Sequence, residues 1–245
     1  MADYGLIGYP LGHSYSKKYF EEKFAREKIK DSAYRLLELP DIKQFPDLLK
    51  RLPNLRGLNV TIPHKQTIIP FLSELDPAAA KIGAVNTIKV NPDGKLTGYN
   101  TDWLGFRNSL LNFIPDFSSL TALILGTGGS SKAVAFTLDE LKIPYRFVSR
   151  EPKPGQLSYF DLSCPIIQAS QLIINTTPAG MYPNIEKCPD LPYDALTPDH
   201  YLFDLVYNPE ETLFLKKGKE AGGKTRNGLE MLELQAEEAW GIWQG

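Results

Sequence analysis

The sequence predicts an α/β protein of two domains, and three observations carry that expectation. Short apolar runs alternate with amphipathic stretches along the chain, the pattern of βαβ units with largely parallel sheets. A second series of the same kind begins after residue 115, and it opens on TALILGTGGSSKAVAF, where an apolar run passes straight into a glycine cluster and then an amphipathic stretch. At 245 residues the chain is long enough to bury two cores of ordinary size.

In the first series strands are expected near 4–8, 33–38, 55–60, 84–90 and 96–99. Between the first two lies a helix over 15–29, with Tyr19, Phe20, Phe24 and Ile29 as its apolar face and Ser14 or Ser16 as its cap. In NVTIPHKQ, residues 59–66, the polar Asn59 and Thr61 alternate with Val60 and Ile62, so a strand would send the polar pair one way and the apolar pair into a core. Pro63 then stops the ladder and starts a turn that carries Lys65. NPDGK, residues 91–95, is a turn joining two strands. The second series gives strands at 121–126, 145–149, 172–176 and 201–206 and a helix from 129 to about 142, with a loop over 177–200 rich in proline and asparagine. A final helix over 228–243 sets Leu229, Leu232, Ala236, Ala239 and Trp243 on one face, with Gln235 at the edge of that stripe.

Composition narrows the function. With 27 basic against 29 acidic side chains and no Lys/Arg-rich run, nothing provides an electrostatic grip on nucleic acid or an anionic membrane, so a small metabolite is the expected partner. Cys164 and Cys188 lack CxxC spacing, and His13, His64 and His200 form no metal-binding pattern, so no metal is expected. The N-terminus lacks the features of a signal peptide and no stretch approaches a membrane span, which points to the cytoplasm.

The glycine cluster has the chemistry of a dinucleotide fingerprint. Gly126 permits a tight turn, Gly128 lets the backbone approach a pyrophosphate, and the N-terminus of the following helix offers unpaired N–H groups; Ser131 stands where the third glycine would be and is small enough to pack. At the end of the next strand an acidic residue would bind the ribose 2′-hydroxyl of NAD and an arginine the 2′-phosphate of NADP. Here Ser149 and Arg150 favour NADP, with Lys153 as a second cation, while Glu151 pulls the other way. Asn86, Asp102 and Tyr207 each fall at or just after a strand end, where open α/β sheets bind ligands, and Asp102 also suits a helix start. His64 is assigned no role.

Taken in order, GYPLGHSYS, NVTIPHK, IGAVNTI, GYNTDWLGF, GTGGSSKA, INTTPAGMYP and GLEMLELQA resemble the shikimate dehydrogenases of the aromatic amino acid pathway over essentially the whole chain. The resemblance implies a substrate-binding domain of residues 1–101 plus 227–245 and a Rossmann-like NADP-binding domain of residues 102–226, with a cleft between them. It implies that Ser14, Ser16, Asn59, Thr61, Asn86, Tyr207 and Gln235 surround shikimate, and that Lys65 is the general acid/base with Asp102 as its partner. Gly126, Thr127, Gly128, Gly129, Ser130, Ser149, Arg150, Leu205 and Gly228 would line the cofactor. The chain departs from the family at Ser149–Arg150–Glu151, where NADP-using members commonly carry Asn-Arg-Thr. Monomer and homodimer stay open. So do two other readings: a quinate/shikimate dehydrogenase using NAD, and a non-catalytic dinucleotide-sensing module, against which the retention of both Lys65 and Asp102 argues.

Overall fold

The computed structural model describes residues 2–12 and 14–245, which leaves His13 outside the described residues. The chain divides into two compact units, Met1–Thr101 with Gln235–Gly245, and Asp102–Leu234. In this division the return to the first unit falls at 235, inside the last helix.

The first unit contains β1 (Ala2–Gly8), α1 (Tyr15–Arg26), β2 (Ser32–Glu38), α2 (Phe45–Lys50), β3 (Leu55–Val60), β4 (Glu74–Leu75), α3 (Pro77–Ile82), β5 (Thr87–Val90) and β6 (Leu96–Tyr99). They form one sheet in the order β2-β1-β3-β5-β6-β4. Three of its five pairings are the expected parallel type: β1 pairs in parallel with β2 and β3, and β4 with β6, whereas β5 is antiparallel to both β3 and β6. For β5 and β6 the cause is local, because the short NPDGK turn between them returns the chain beside itself and leaves no room for a crossover helix. Strand β5 starts at Thr87 and not at 84, since Gly83 takes φ 66° as the left-handed cap of α3 and the chain must still straighten.

Ile62 is a correction to the alternating pattern. Strand β3 ends at Val60, and Ile62, on a cis peptide to Pro63, is 66% exposed where a core position was expected. The ladder had stopped two residues earlier than a strict period of two assumes.

Two layers cover this sheet. Ile7, Leu58, Val60 and Ile88 pack against Phe45 and Leu48 of α2 and Ala79 of α3 on one side. Tyr4, Leu6 and Tyr34 pack with Phe20 and Phe24 of α1 and with Ala236, Ala239 and Trp243 of the last helix on the other. That helix, over Leu229–Gln244, buries Met231, Gln235, Ala236, Ala239 and Trp243, leaving the expected Leu229 and Leu232 only half-buried.

The second unit contains α4 (Asp102–Phe113), β7 (Ala122–Leu125), α5 (Gly129–Glu140), β8 (Tyr145–Ser149), β9 (Leu157–Ser158), α6 (Cys164–Gln168), β10 (Leu172–Asn175), β11 (Tyr201–Asp204), α7 (Leu213–Glu220) and β12 (Lys224–Arg226), before the last helix, α8. Its sheet runs β12-β11-β10-β7-β8-β9 and every pairing is parallel. This is the doubly wound order, with its reversal between β7 and β10. Alternate residues of β7 feed opposite layers: Ala122 and Ile124 join Phe106, Leu110 and Phe203, while Leu123 and Leu125 join Ile173, Leu202 and Phe214. Burial on both faces explains why TALIL reads as a continuous apolar run. No helix among the described residues is long and apolar enough to cross a membrane.

The end of α8 is locked to the first sheet. Trp243 donates its indole N–H to the carbonyl of Ile88 at 3.0 Å, and its ring lies where a Cβ at Gly57 would stand, 2.2 Å from Nε1. Gly57→Ala should therefore overpack this contact and destabilise the protein by about 1–3 kcal/mol in a denaturant titration. An unchanged midpoint and slope would show that α8 is not held there.

Candidate functional site

In the first unit a buried polar cluster stands where β3 and β6 end and β5 begins. Asn86 is its centre. Its Nδ2 donates to Thr101 Oγ1 at 3.0 Å and to Gln235 Oε1 at 3.2 Å, and its Oδ1 accepts from the Thr101 N–H at 2.6 Å and the Thr87 hydroxyl at 3.2 Å. Its carbonyl accepts from Val60 N at 2.8 Å. Asn59 joins through Nδ2, which lies 3.3 Å from Thr87 Oγ1 and 3.4 Å from the Asn86 carbonyl. Asn59, Asn86 and Gln235, three of the predicted site residues, are thus brought together, and each is more than nine-tenths buried.

Ser14 and Ser16 reach the same cluster through a residue the sequence reading missed. Ser14 is the N-cap of α1, its hydroxyl accepting from Ser16 N at 3.3 Å. Tyr34, on β2, stacks on Phe20 and donates its hydroxyl to Asn59 Oδ1 at 2.7 Å. Burial holds this phenol well above its ordinary value, with a hydrogen bond from the Ser16 side chain acting the other way, so Tyr34 stays a neutral donor. A lone tyrosine in an apolar strand carries no signal of such a role.

Lys65 sits half-buried on the turn after β3, whose backbone is pinned at every step. Thr61 N donates to Ile7, Tyr9 N to the carbonyl of Ile62, His64 N to Thr61, and Val85 N to the carbonyl of Lys65 at 2.7 Å. The His64 ring turns inward, is 4% exposed, and bonds the carbonyl of Leu39.

In the second unit the remaining predicted residues gather at the carboxyl ends of the strands. Gly126 follows β7 with φ 105°, and a Cβ there would meet Thr176 Oγ1 at 2.8 Å and Thr177 Cγ2 at 2.9 Å, so only glycine fits against the loop after β10. Gly128 is the N-cap of α5 without a side-chain hydrogen bond, no acidic residue occupies the first turn, and a Cβ at Gly128 would meet nothing within 4 Å. Ser131 is 1% exposed and donates back to the carbonyl of Gly128 at 2.7 Å, which a third glycine could not do. Together these features leave Thr127, Gly128, Gly129 and Ser130 able to receive an anion on backbone N–H groups.

Ser149, at the end of β8, uses its hydroxyl to turn the chain: Oγ accepts from Glu151 N and donates to Glu151 O, each at 3.2 Å. Arg150 is left exposed. Beside it Tyr159 has its phenol pushed up by burial, with the Arg150 charge acting against that shift. Gly228 allows a close approach, since a Cβ would stand 2.2 Å from the carbonyl of Leu205. Tyr207 follows half-buried, and Asp102 is buried in the first turn of α4, where the helix dipole favours a carboxylate. Lys65 belongs to the first unit and Asp102 to the second.

A doubly wound unit with an open anion-receiving helix start, joined in one chain to an α/β unit with a buried polar cluster, defines a two-domain dinucleotide-binding protein. Residues 6–88 match the family model described as the shikimate dehydrogenase substrate binding domain. The chain is 40% identical over 268 residues to the shikimate dehydrogenase (NADP(+)) of Halothermothrix orenii, covering 98% of this chain and 90% of that protein. Among solved structures it resembles shikimate 5-dehydrogenase from Thermus thermophilus in complex with NADP(H) and shikimate, with TM-score 0.87 and 29% identity over 100% of this chain and 94% of that one. It also resembles quinate dehydrogenase from Corynebacterium glutamicum in complex with NAD, with TM-score 0.88 and 27% identity over 100% and 94%. The chain belongs to the shikimate dehydrogenase family.

The two glycines predict opposite behaviour. Gly126→Ala should destabilise the protein by about 1–3 kcal/mol, because it forces a positive φ on alanine against Thr176. Gly128→Ser should leave stability within about 0.5 kcal/mol, since serine is a good N-cap, yet weaken dinucleotide binding by occupying the N–H groups it needs. Thermal denaturation and a dinucleotide titration of both variants check this; equal stability losses would contradict it.

Proposed function

We propose that this chain is an NADP-linked shikimate dehydrogenase that interconverts 3-dehydroshikimate and shikimate. The observation that carries the reading is that the likeness to an NADP(+)-dependent relative spans 98% of the chain, so the substrate unit and the nucleotide unit are both included. The residues present suit the cofactor: a glycine turn, an uncapped helix start, and Arg150 with no carboxylate at 148–150. Bound NADPH supplies the hydride.

The protein's part is to hold the ring and to move a proton. As hydride reaches C3, charge develops on the carbonyl oxygen, and the Lys65 ammonium donates a proton to it; in the oxidising direction Lys65 takes that proton back. The turn that carries Lys65 holds the lysine's backbone, so its side chain starts from a set position. Asp102, as a carboxylate, accepts from the ammonium and from a ring hydroxyl. Ser14 and Ser16 take the ring carboxylate, and Asn59, Thr61, Asn86, Tyr207 and Gln235 meet the remaining polar groups, each of which would cost about 1–3 kcal/mol if buried unpaired. Residues 1–101 with the end of α8 would then be the substrate domain, and the doubly wound unit the NADP domain. The higher identity to the NADP(+) shikimate enzyme than to the NAD-bound quinate enzyme supports this reading over its nearest rival.

Lys65→Ala should lower turnover by roughly 10² to 10⁴ with folding and NADPH binding unchanged. Stopped-time assays of reduced nicotinamide, beside a thermal melt and a nucleotide titration, test it; a folded variant with wild-type turnover would remove Lys65 from the chemistry.

A further inference from the structure

Asp204 ends β11, is 0% exposed, and has no part in the chemistry proposed above. Burial pushes its carboxyl up to about 7. No cation pairs with it among the described salt bridges, and three donors surround it instead. Oδ1 accepts from Asn175 Nδ2 at 2.9 Å and from Val206 N at 3.0 Å, and Oδ2 accepts from Thr212 Oγ1 at 2.6 Å. A buried carboxylate without a counter-ion is expensive, so its retention calls for a role.

The hydrogen-bond directions supply one. Oδ1 of Asp204 accepts from the Asn175 side chain, so it holds the Asn175 amide with Nδ2 inward and Oδ1 outward. Oδ1 then accepts from both the N–H of Thr177, at 3.0 Å, and its hydroxyl, at 2.6 Å. The Thr177 hydroxyl in turn accepts from Ala179 N at 3.3 Å. With its hydroxyl committed in this way, Thr177 presents its methyl to Gly126, while Thr176 donates its hydroxyl to the carbonyl of Leu125 at 2.7 Å. The same carboxylate holds Val206, next to Tyr207, and the Tyr182 N–H closes the loop onto the carbonyl of Asn208 at 3.2 Å. Asp204 thus sets the loop after β10, which meets the glycine turn across the reversal between β7 and β10, and the start of the loop after β11.

We infer that Asp204 is a positioning residue for nucleotide binding, a buried anchor that fixes the Thr176–Thr177 loop against Gly126; this rests on the reading that the Gly126 face holds NADP. Asparagine replaces it only in part, since it keeps one acceptor oxygen and loses the other. With its amide NH2 toward Thr212 it removes the acceptor for that hydroxyl, which already accepts from Leu215 N at 3.3 Å. Turned the other way, it confronts the donors of Val206 and Asn175 and frees Asn175 to flip.

The test uses Asp204→Asn and Thr177→Val, the second removing only the outermost hydroxyl of the chain. NADPH affinity is measured by titration, and steady-state kinetics by varying each substrate. Asp204→Asn should raise the Kd for NADPH and the KM for NADP about tenfold or more, severalfold more than it raises the KM for shikimate, with kcat within about threefold. Thr177→Val should raise the same two constants by a smaller factor at an unchanged melting temperature. An unchanged NADPH affinity in a folded Asp204→Asn variant overturns the inference, as does a loss shared equally by kcat and both KM values. Should Asp204→Asn not fold, wild-type NADPH affinity in Thr177→Val overturns it alone. Wild-type binding of NADPH tests the underlying reading separately, because the inference is read from the ratio of variant to wild type.

Discussion

Polar side chains buried at the end of a sheet must satisfy one another, and the arrangement of the first unit follows from that requirement at Asn86. An amide offers two donors and one oxygen, and here Asn86 spends them on the last residue of the first segment, Thr101, and on the first residue of the return, Gln235. The chain leaves the unit and re-enters it at one hydrogen-bonded knot. Replacing Asn86 by an apolar residue would orphan the Thr101 N–H and loosen the point where β6 hands over to α4. No side-chain polar atom buried among the described residues lacks a partner, so the knot is closed.

The same logic of donors facing acceptors runs through the second unit, with a carboxylate in place of an amide. Asp204 receives three donors on its two oxygens, and so it sets the direction of the bonds that lead outward from it. That direction ends at a methyl group against Gly126. In both units, then, a buried polar residue just behind the strand ends determines the shape of the surface in front. Binding residues on loops gain their precision from this support and from the rigid strands that carry it.

Much of this was legible in the sequence where periodicity is strong. The apolar strands of the second unit, the helix after the glycine cluster and the NPDGK hairpin lie within a few residues of their expected places, because burial on both faces and turn chemistry are local signals. Ile62 and the start of β5 were misplaced since a proline turn and a left-handed glycine cap end the regular backbone before the hydrophobic pattern ends. Short elements such as α2, α3, α6 and α7 went unseen, their periodicity spanning too few turns. Of the candidate site, the residues in motifs were named, but Tyr34, Thr101, Asn175 and Asp204 were not. Their roles depend on hydrogen bonds between residues 15–29 positions apart, and nothing in the local sequence announces such a partner.

The central claim is that this scaffold distinguishes both the ring acid and the nucleotide, reading the 2′-phosphate through Arg150 despite the neighbouring Glu151. The most direct measurement is kcat/KM for shikimate and for quinate, each with NADP and with NAD. The account predicts that shikimate with NADP gives the highest value of the four, and that Arg150→Ala lowers the value with NADP selectively. If NAD gives the higher value with either acid, Glu151 takes over as the ribose ligand and the Arg150 reading fails; if quinate does so with either nucleotide, the assignment of the polar cluster to shikimate is wrong.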